Sequence, residues 1–438
     1  MKRLLILAAS AIALAASPAA AQDVIIFNAT VATGDGSEPI ENGMVVVNDG
    51  RVVYAGPTEA GRTFEADSAI DVNGMWVTPG MFAMPTTLGL LDVGAVSESN
   101  DTRAGGAPFS ASLDVSPIVN PGSQHILVSR SAGITRAATT MLPAGSIFGG
   151  QGAIIDLDGD ANPIMRPRAF QMVALGEGGG RLAGGSRASS FLLFRAALRE
   201  ARALSGQGGT PQTTEITTSD DVLLGRFDAE ALIPVLNGTQ ELYVAVDRAS
   251  DIRSVLALMS EFSRLDIVLV GAGEGWMVAD EIAAAGIPVI ADALDDLPES
   301  FEVLAATQSN VGRMRRAGVT VGISANSGTN PRNMTQAAGN LVALNRIPGA
   351  SGLTWGEAFA AISSVPASIA GYEGRAGVLA PGAYGDVVIW DGDPLEVGSV
   401  PTRVFIGGVE QDLTSHQSRL RERYRDLDES DLPKAYDW

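Results

Sequence analysis

The chemistry open to this 438-residue chain is narrowed first by what it lacks: it has two histidines, His125 and His416, and no cysteine. Without cysteine there can be no disulfide framework, thiolate metal site or cysteine nucleophile. A catalytic zinc takes at least three protein ligands, and two histidines far apart in sequence do not supply them. His125 lies in Ser123-Gln124-His125-Ile126-Leu127-Val128, ahead of a strand, and His416 lies in a tail helix. His125 is a candidate pocket residue, though an ordinary hydrogen-bonded surface histidine fits the same pattern. Carboxylates remain. Asp92, Asp114, Asp247 and Glu274 are candidates for strand ends, and an all-oxygen site suits Mg2+ or Ca2+. Their spacing forms no cluster, so surface or helix-capping duty fits each of them, and Asp247 is placed to cap the helix that follows it. No Gly-x-Ser-x-Gly elbow and no Gly-Lys-Ser/Thr phosphate loop occurs, which removes serine-hydrolase and P-loop chemistry.

The elements that would position these residues fall into three zones. Val24-Ile25-Ile26-Phe27 opens a β region. Met44 to Val47 and Arg51 to Gly56 flank Asn48-Asp49-Gly50, the signature of a tight hairpin, and Ala69 to Val77 reads as two short strands. The middle alternates. Strands at Leu242–Val246, Asp266–Gly271, Ile287–Ala291 and Val319–Ile323 are separated by helical spacing at Ser250–Phe262, Gly275–Ala285 and Ser300–Ala317. Such units build a parallel sheet covered by helices and, repeated, a (β/α)8 barrel. β character returns at Asp386–Trp390 and Arg403–Ile406. Each end is too short for a core of its own, so both ends are expected to form one small β-sandwich with the barrel inserted. Gly176–Ser190 and Ser205–Asp220 read as long surface loops near the barrel mouth, and the glycines of Gly149-Gly150-Gln151-Gly152 as tight turns. In the tail, Thr414 with Gln417 fits a capping box for a helix that lines up Leu420, Tyr424 and Leu427 for docking.

Lys2 and Arg3, the apolar run Leu4 to Ala16 and the small residues Ser17 to Ala21 form a secretory signal, with cleavage expected after Ala21. The apolar run is shorter than the ~20 residues that span a bilayer. The protein is therefore expected outside the cytoplasm, in a bacterial periplasm. Thirty basic against fifty acidic residues give a net charge of −20. That surface repels nucleic acid and anionic lipid.

One segment carries a family resemblance. Gly74-Met75-Trp76-Val77-Thr78-Pro79-Gly80-Met81-Phe82-Ala83-Met84-Pro85-Thr86-Thr87-Leu88-Gly89-Leu90 resembles the entry into the barrel of the amidohydrolase superfamily, in its imidazolonepropionase-like branch. There the run V-x-P-G-L-I-D-x-H-x-H-L-G-L brings two metal-binding histidines to the end of barrel strand 1. Near the other end, Gly377-Val378-Leu379-Ala380-Pro381-Gly382-Ala383-Tyr384-Gly385-Asp386-Val387-Val388-Ile389-Trp390-Asp391-Gly392-Asp393-Pro394 is similar to the family's G-x-L-x-P-G-x-x-A-D-L-V-V-W-D-G-D-P. The resemblance spans nearly the whole chain after the signal. It implies domains at 22–79 and 373–411 (β-sandwich), 80–372 (barrel) and 412–438 (helix and tail).

The resemblance also implies where a divalent metal, usually zinc, would sit, and those positions depart from the pattern. The two histidines of strand 1 become Pro85 and Thr87, and the preceding aspartate becomes Ala83. The strand-5 histidine falls at Ala245, and strand 6, Ile267-Val268-Leu269-Val270-Gly271, has none. The strand-8 aspartate, which binds metal and takes the proton from the attacking water, becomes Asn326. Asparagine has no basic oxygen for that task. The expectation is a C–N hydrolase by resemblance that is catalytically degenerate and holds no metal. The alternative is a non-catalytic ligand-binding protein, or a partner subunit of an active amidohydrolase, with a homo-oligomer as a further possibility. Folding does not need catalytic ligands, so they can vanish while the core stays.

Overall fold

The computed structural model describes residues 21–59, 61–206, 223–324 and 330–425. Asn326, Leu427, nearly all of the expected signal and most of the Ser205–Asp220 segment lie outside them.

The amino-terminal strands β1 (Val24–Val31), β2 (Ile40–Asn48), β3 (Arg51–Pro57), β4 (Ser68–Asp71) and β5 (Trp76–Pro79) precede a second set. That set is β6 (Met81–Thr86), β7 (Ile134–Thr139), β8 (Phe148–Asp156), β9 (Ile164–Ala174), β10 (Glu241–Val246), β11 (Ile267–Gly271), β12 (Val289–Ala291) and β13 (Val321–Ile323). The last strands are β14 (Val387–Trp390), β15 (Pro401–Ile406) and β16 (Val409–Glu410). Strands from both ends merge into one hydrogen-bonded sheet, ordered β16-β15-β14-β5-β1-β2-β3, with β4 beside β1. The seam is β14 against β5, pairing Val387 with Pro79 and Trp390 with Trp76. At the hairpin between β2 and β3, Asp49 and Gly50 both take positive φ, 47° and 69°. That is the turn Asn-Asp-Gly favours.

The second sheet runs β13-β12-β11-β10-β9-β8-β7-β6, parallel except at β8. It is curled. One buried apolar cluster joins Phe82 and Met84 of β6 to Phe170 and Met172 of β9, Tyr243 of β10, Val268 of β11 and Ile290 of β12. Side chains from so many strands meet only on a strongly concave face. Phe170 stacks on Tyr243 with centroids 4.1 Å apart. The edges β13 and β6 do not pair directly. Ala361 accepts from the Ile323 amide at 2.8 Å and Ile362 from the Phe82 amide at 3.1 Å, so two residues of another segment bridge the gap. The larger apolar cluster lies on the convex side, under the helices.

The two sheets are fastened by a buried ion pair. Arg136 of β7 donates to Asp386 through Nε at 2.6 Å and through a second guanidinium nitrogen at 3.0 Å. Thr135 and the Gly407 amide also donate to that carboxylate, at 3.2 and 2.9 Å. Both partners are almost fully buried, and Arg136 also sits 3.9 Å from the Tyr384 ring centroid.

Four local expectations are corrected. Gly176–Ser190 is not a loop: helices occupy Gly176–Leu182 and Arg187–Gly206. The glycines there serve close approach, since a Cβ on Gly179 would come within 2.2 Å of the Ala174 carbonyl oxygen. The Gly149–Gly152 segment lies inside β8, not in a turn, and a Cβ on Gly152 would sit 2.2 Å from the Phe170 ring. The expected helix at Ser300–Ala317 is helical only from Asn310 to Arg316. In the tail, the capping box is Ser415 with Ser418, and the helix is His416–Arg423. Tyr424 is exposed there and does not dock. No described helix is long and apolar enough to cross a membrane.

Candidate functional site

In a sheet of this kind, residues that do chemistry gather where parallel strands end. The end of β6 supplies Pro85 and Thr87. Thr87 is buried and its hydroxyl has no hydrogen-bond partner among the described residues. Ala83 is buried within β6, in the apolar cluster of the convex side. Ala245 of β10 aligns with Ala174 of β9 and Val270 of β11. Ala245 and Val270 pack against the concave apolar cluster. This layer, where neighbouring strands present side chains together, is therefore hydrocarbon.

A second layer of polar residues follows it. Asp247, just after β10, accepts a hydrogen bond from the Gly273 amide at 3.1 Å. Burial pushes its carboxyl up to about 7; the Gly273 amide opposes that, while the charges of Glu302, Asp292 and Asp295 add to it. Asp292, after β12, accepts from the Ser324 hydroxyl, after β13. Asp247 does not cap the next helix as expected. Glu274 does that from the neighbouring loop: one carboxylate oxygen accepts from the Ala249 amide at 3.0 Å and the other from the Ala305 amide at 3.2 Å. Glu274 is thus a structural brace between two loops.

The other candidates are not brought to this place by any contact. Asp92 accepts from the Asn120 side chain at 3.1 and 3.2 Å, and Asp114 accepts from the Ser116 amide at 2.9 Å. Those are loop-shaping bonds. His125 sits in the first turn of the helix Gln124–Ser131, whose N-cap is Ser123. Its imidazole has no hydrogen-bond partner among the described residues, while its carbonyl accepts from Ser129 at 2.7 Å. Among the described residues, no three histidine, aspartate or glutamate side chains converge as a metal site would require. Sequence reasoning missed the Asp292–Ser324 pair. The signal was present in the strand-plus-polar pattern Val289-Ile290-Ala291-Asp292 and Val321-Gly322-Ile323-Ser324.

The side chains at Pro85, Thr87, Ala245 and Val270 do not suit a transition metal. Proline, alanine and valine offer no side-chain donor, and threonine is a poor zinc ligand. The orphaned Thr87 hydroxyl gives a direct test. Thr87→Val keeps the shape and removes an unsatisfied group, so its thermal midpoint is expected to stay level or rise, by no more than about 1 kcal/mol of stability. A clear loss in thermal unfolding would mean that the hydroxyl has a partner in solution.

Comparison with known proteins places these features. The pattern described as "Amidohydrolase family" matches residues 278–404. The imidazolonepropionase of Caulobacter vibrioides is 48% identical over 61 residues, which is 14% of this chain and 15% of that protein. That match therefore spans only a small part of the relative's length. The imidazolonepropionase of Maricaulis maris is 27% identical over 400 residues, covering 82% of this chain and 90% of that protein. Among solved structures, an amidohydrolase from Thermotoga maritima superposes with a TM-score of 0.74 at 22% identity, covering 88% of this chain and 99% of that one.

Proposed function

Given that this chain is a member of the amidohydrolase superfamily, we propose that it is a degenerate one, a barrel that binds a small molecule or a partner protein and does not run metal-dependent hydrolysis. One observation carries the reading. The strand ends that would have to present ligands present Pro85, Ala245 and Val270, and the last two pack into the apolar interior. The finer architecture we propose is a closed (β/α)8 barrel over 80–372, with a composite sandwich from 22–79 and 373–411 and a tail over 412–438. By the resemblance, Asn326 falls at the basic aspartate's position in the sequence, so no step is routed through a metal-bound water. We propose that no metal is resident, that the chain is cleaved after Ala21, and that it works in the periplasm. Its partner would be a small-molecule ligand, a second copy, or an active amidohydrolase.

The test is elemental mass spectrometry on the dialysed protein. The expected result is less than about a tenth of an equivalent of any transition metal, because too few ligands converge to hold one. One equivalent of zinc, manganese or iron overturns the reading.

A second reading is favoured by Asp247 alone. A carboxyl held near pH 7 at a strand end suits a general base. Metal-free hydrolysis of a small amide would then depend on it. Turnover of any small cyclic amide that disappears in Asp247→Asn, with the protein still folded, would favour this reading over the first.

A further inference from the structure

Between β12 and the helix Asn310–Arg316 runs Asp292–Ser309, a connection with no regular secondary structure. Connections longer than ~12–15 residues are uncommon inside compact domains and are usually functional. This one is pinned rather than loose. Arg248 donates to the Phe301 carbonyl, the Trp276 indole donates to the Ala305 carbonyl at 2.9 Å, and Glu302 accepts from the Glu177 amide at 2.6 Å. On this fixed backbone three large apolar side chains face solvent: Leu297 at 74%, Phe301 at 75% and Leu304 at 62% exposure. Single exposed apolar residues are ordinary, but three within eight positions of one loop, two of them beside its bracing contacts, offer apolar surface of the kind that marks an interaction site.

Its charge identifies the partner. The same stretch carries Asp292, Asp295, Asp296, Glu299 and Glu302 and no basic residue. We propose that this loop docks a cationic, amphipathic segment of a partner protein, its lysines and arginines facing these carboxylates and its apolar side chains covering Leu297, Phe301 and Leu304. A second copy of this chain is a poor occupant, because it would bring the same acidic loop or another face of a chain with net charge −20. Burial, together with neighbouring carboxylates, raises the carboxyls of Asp295 and Glu302, so the loop carries repulsion that an incoming cation relieves. The inference goes beyond the metal-free reading and does not depend on it, since the surface is the same whether or not the barrel is catalytic.

The experiment is fluorescence anisotropy of a labelled 18-residue Leu/Lys amphipathic peptide against the full chain, with a Ser/Lys peptide of equal charge as comparison. The Leu/Lys peptide is expected to bind more tightly than the Ser/Lys one. Phe301→Ser with Leu304→Ser should weaken it by about tenfold or more, the usual cost of losing anchor residues. Asp295→Asn with Asp296→Asn should weaken it and flatten its salt dependence. Val397→Ser with Val400→Ser, which alters exposed apolar residues elsewhere, should leave it unchanged. Equal binding by Phe301→Ser/Leu304→Ser and the wild type overturns the proposal. So does sedimentation showing a wild-type dimer that Phe301→Ser/Leu304→Ser disperses, which would assign the loop to a second copy.

Discussion

Asp386→Ala is expected to destabilise the protein by about 3–5 kcal/mol, the range for breaking a buried pair on one side. The carboxylate receives four hydrogen bonds, two from Arg136 and one each from Thr135 and the Gly407 amide. Removing it strands a guanidinium in a site where side-chain exposure is 5% for Arg136 and 2% for Asp386. Burial alone would pull the Arg136 pKa down; the charge and hydrogen bonds of Asp386, together with the charges of Asp156 and Tyr384, outweigh it and hold the pKa above its ordinary value. The midpoint of urea unfolding should fall sharply. A double variant, Arg136→Met with Asp386→Leu, should recover much of the loss, because a well-packed apolar pair needs no desolvated charge. If Asp386→Ala unfolds at the wild-type midpoint, the ion pair is not what fastens the two sheets.

Asp247→Asn is expected to stabilise the protein at alkaline pH and to do nothing in acid. The Asp247 carboxyl titrates near 7 in the folded protein and near ~3.9 in an unfolded chain. A carboxyl whose pKa is raised on folding contributes stability that is fully present below about pH 4 and lost as the pH rises toward 7. Three pKa units correspond to about 4 kcal/mol, and partial exposure of the side chain reduces the expected gain to about 2 kcal/mol. Asparagine keeps an oxygen for the Gly273 amide and carries no charge. Unfolding midpoints of the two proteins should coincide at pH 4, diverge between pH 4 and 7, and stay apart above. Parallel curves across the whole range would show that Asp247 titrates normally.

How legible the fold was depends on which force each segment obeyed. The hairpin at Asn48-Asp49-Gly50 and the strands β10 to β13 follow local rules, β-branched runs and turn residues, and the sequence displays them. The merging of both chain ends followed from a size argument, and the sheet's seam at β5 and β14 agrees with it. The helices from Gly176 to Gly206 were illegible because glycine disfavours helix. What overrides it is distance: the Ala174 carbonyl leaves no room for a side chain at Gly179. The role of Glu274 was hidden for a related reason, since it caps a helix 25 positions away through a tertiary contact. For the candidate site, the poverty of Pro85, Thr87 and Ala245 in metal-binding atoms was plain in the sequence. The raised carboxyl of Asp247 was not, because it comes first from burial in the folded chain and then from the charges of residues as distant as Glu302 and Asp292.

The seam between β5 and β14 also sets an order of events during synthesis. Pro79 and Val387 are register partners across the seam, yet at ~5–20 residues per second the ribosome needs on the order of 15–60 s to make the intervening chain. Through that interval β5 has an unpaired edge, a template for wrong partners. The strands β6 to β13 emerge earlier and can pair among themselves, whereas the terminal sheet is completed only after the last strands emerge. A nascent chain of this kind is a natural client for a holdase that shields strand edges. Fragments truncated before Val387 are expected to aggregate rather than fold, and adding the missing β14–β16 segment back in trans offers a way to measure how late the sheet closes.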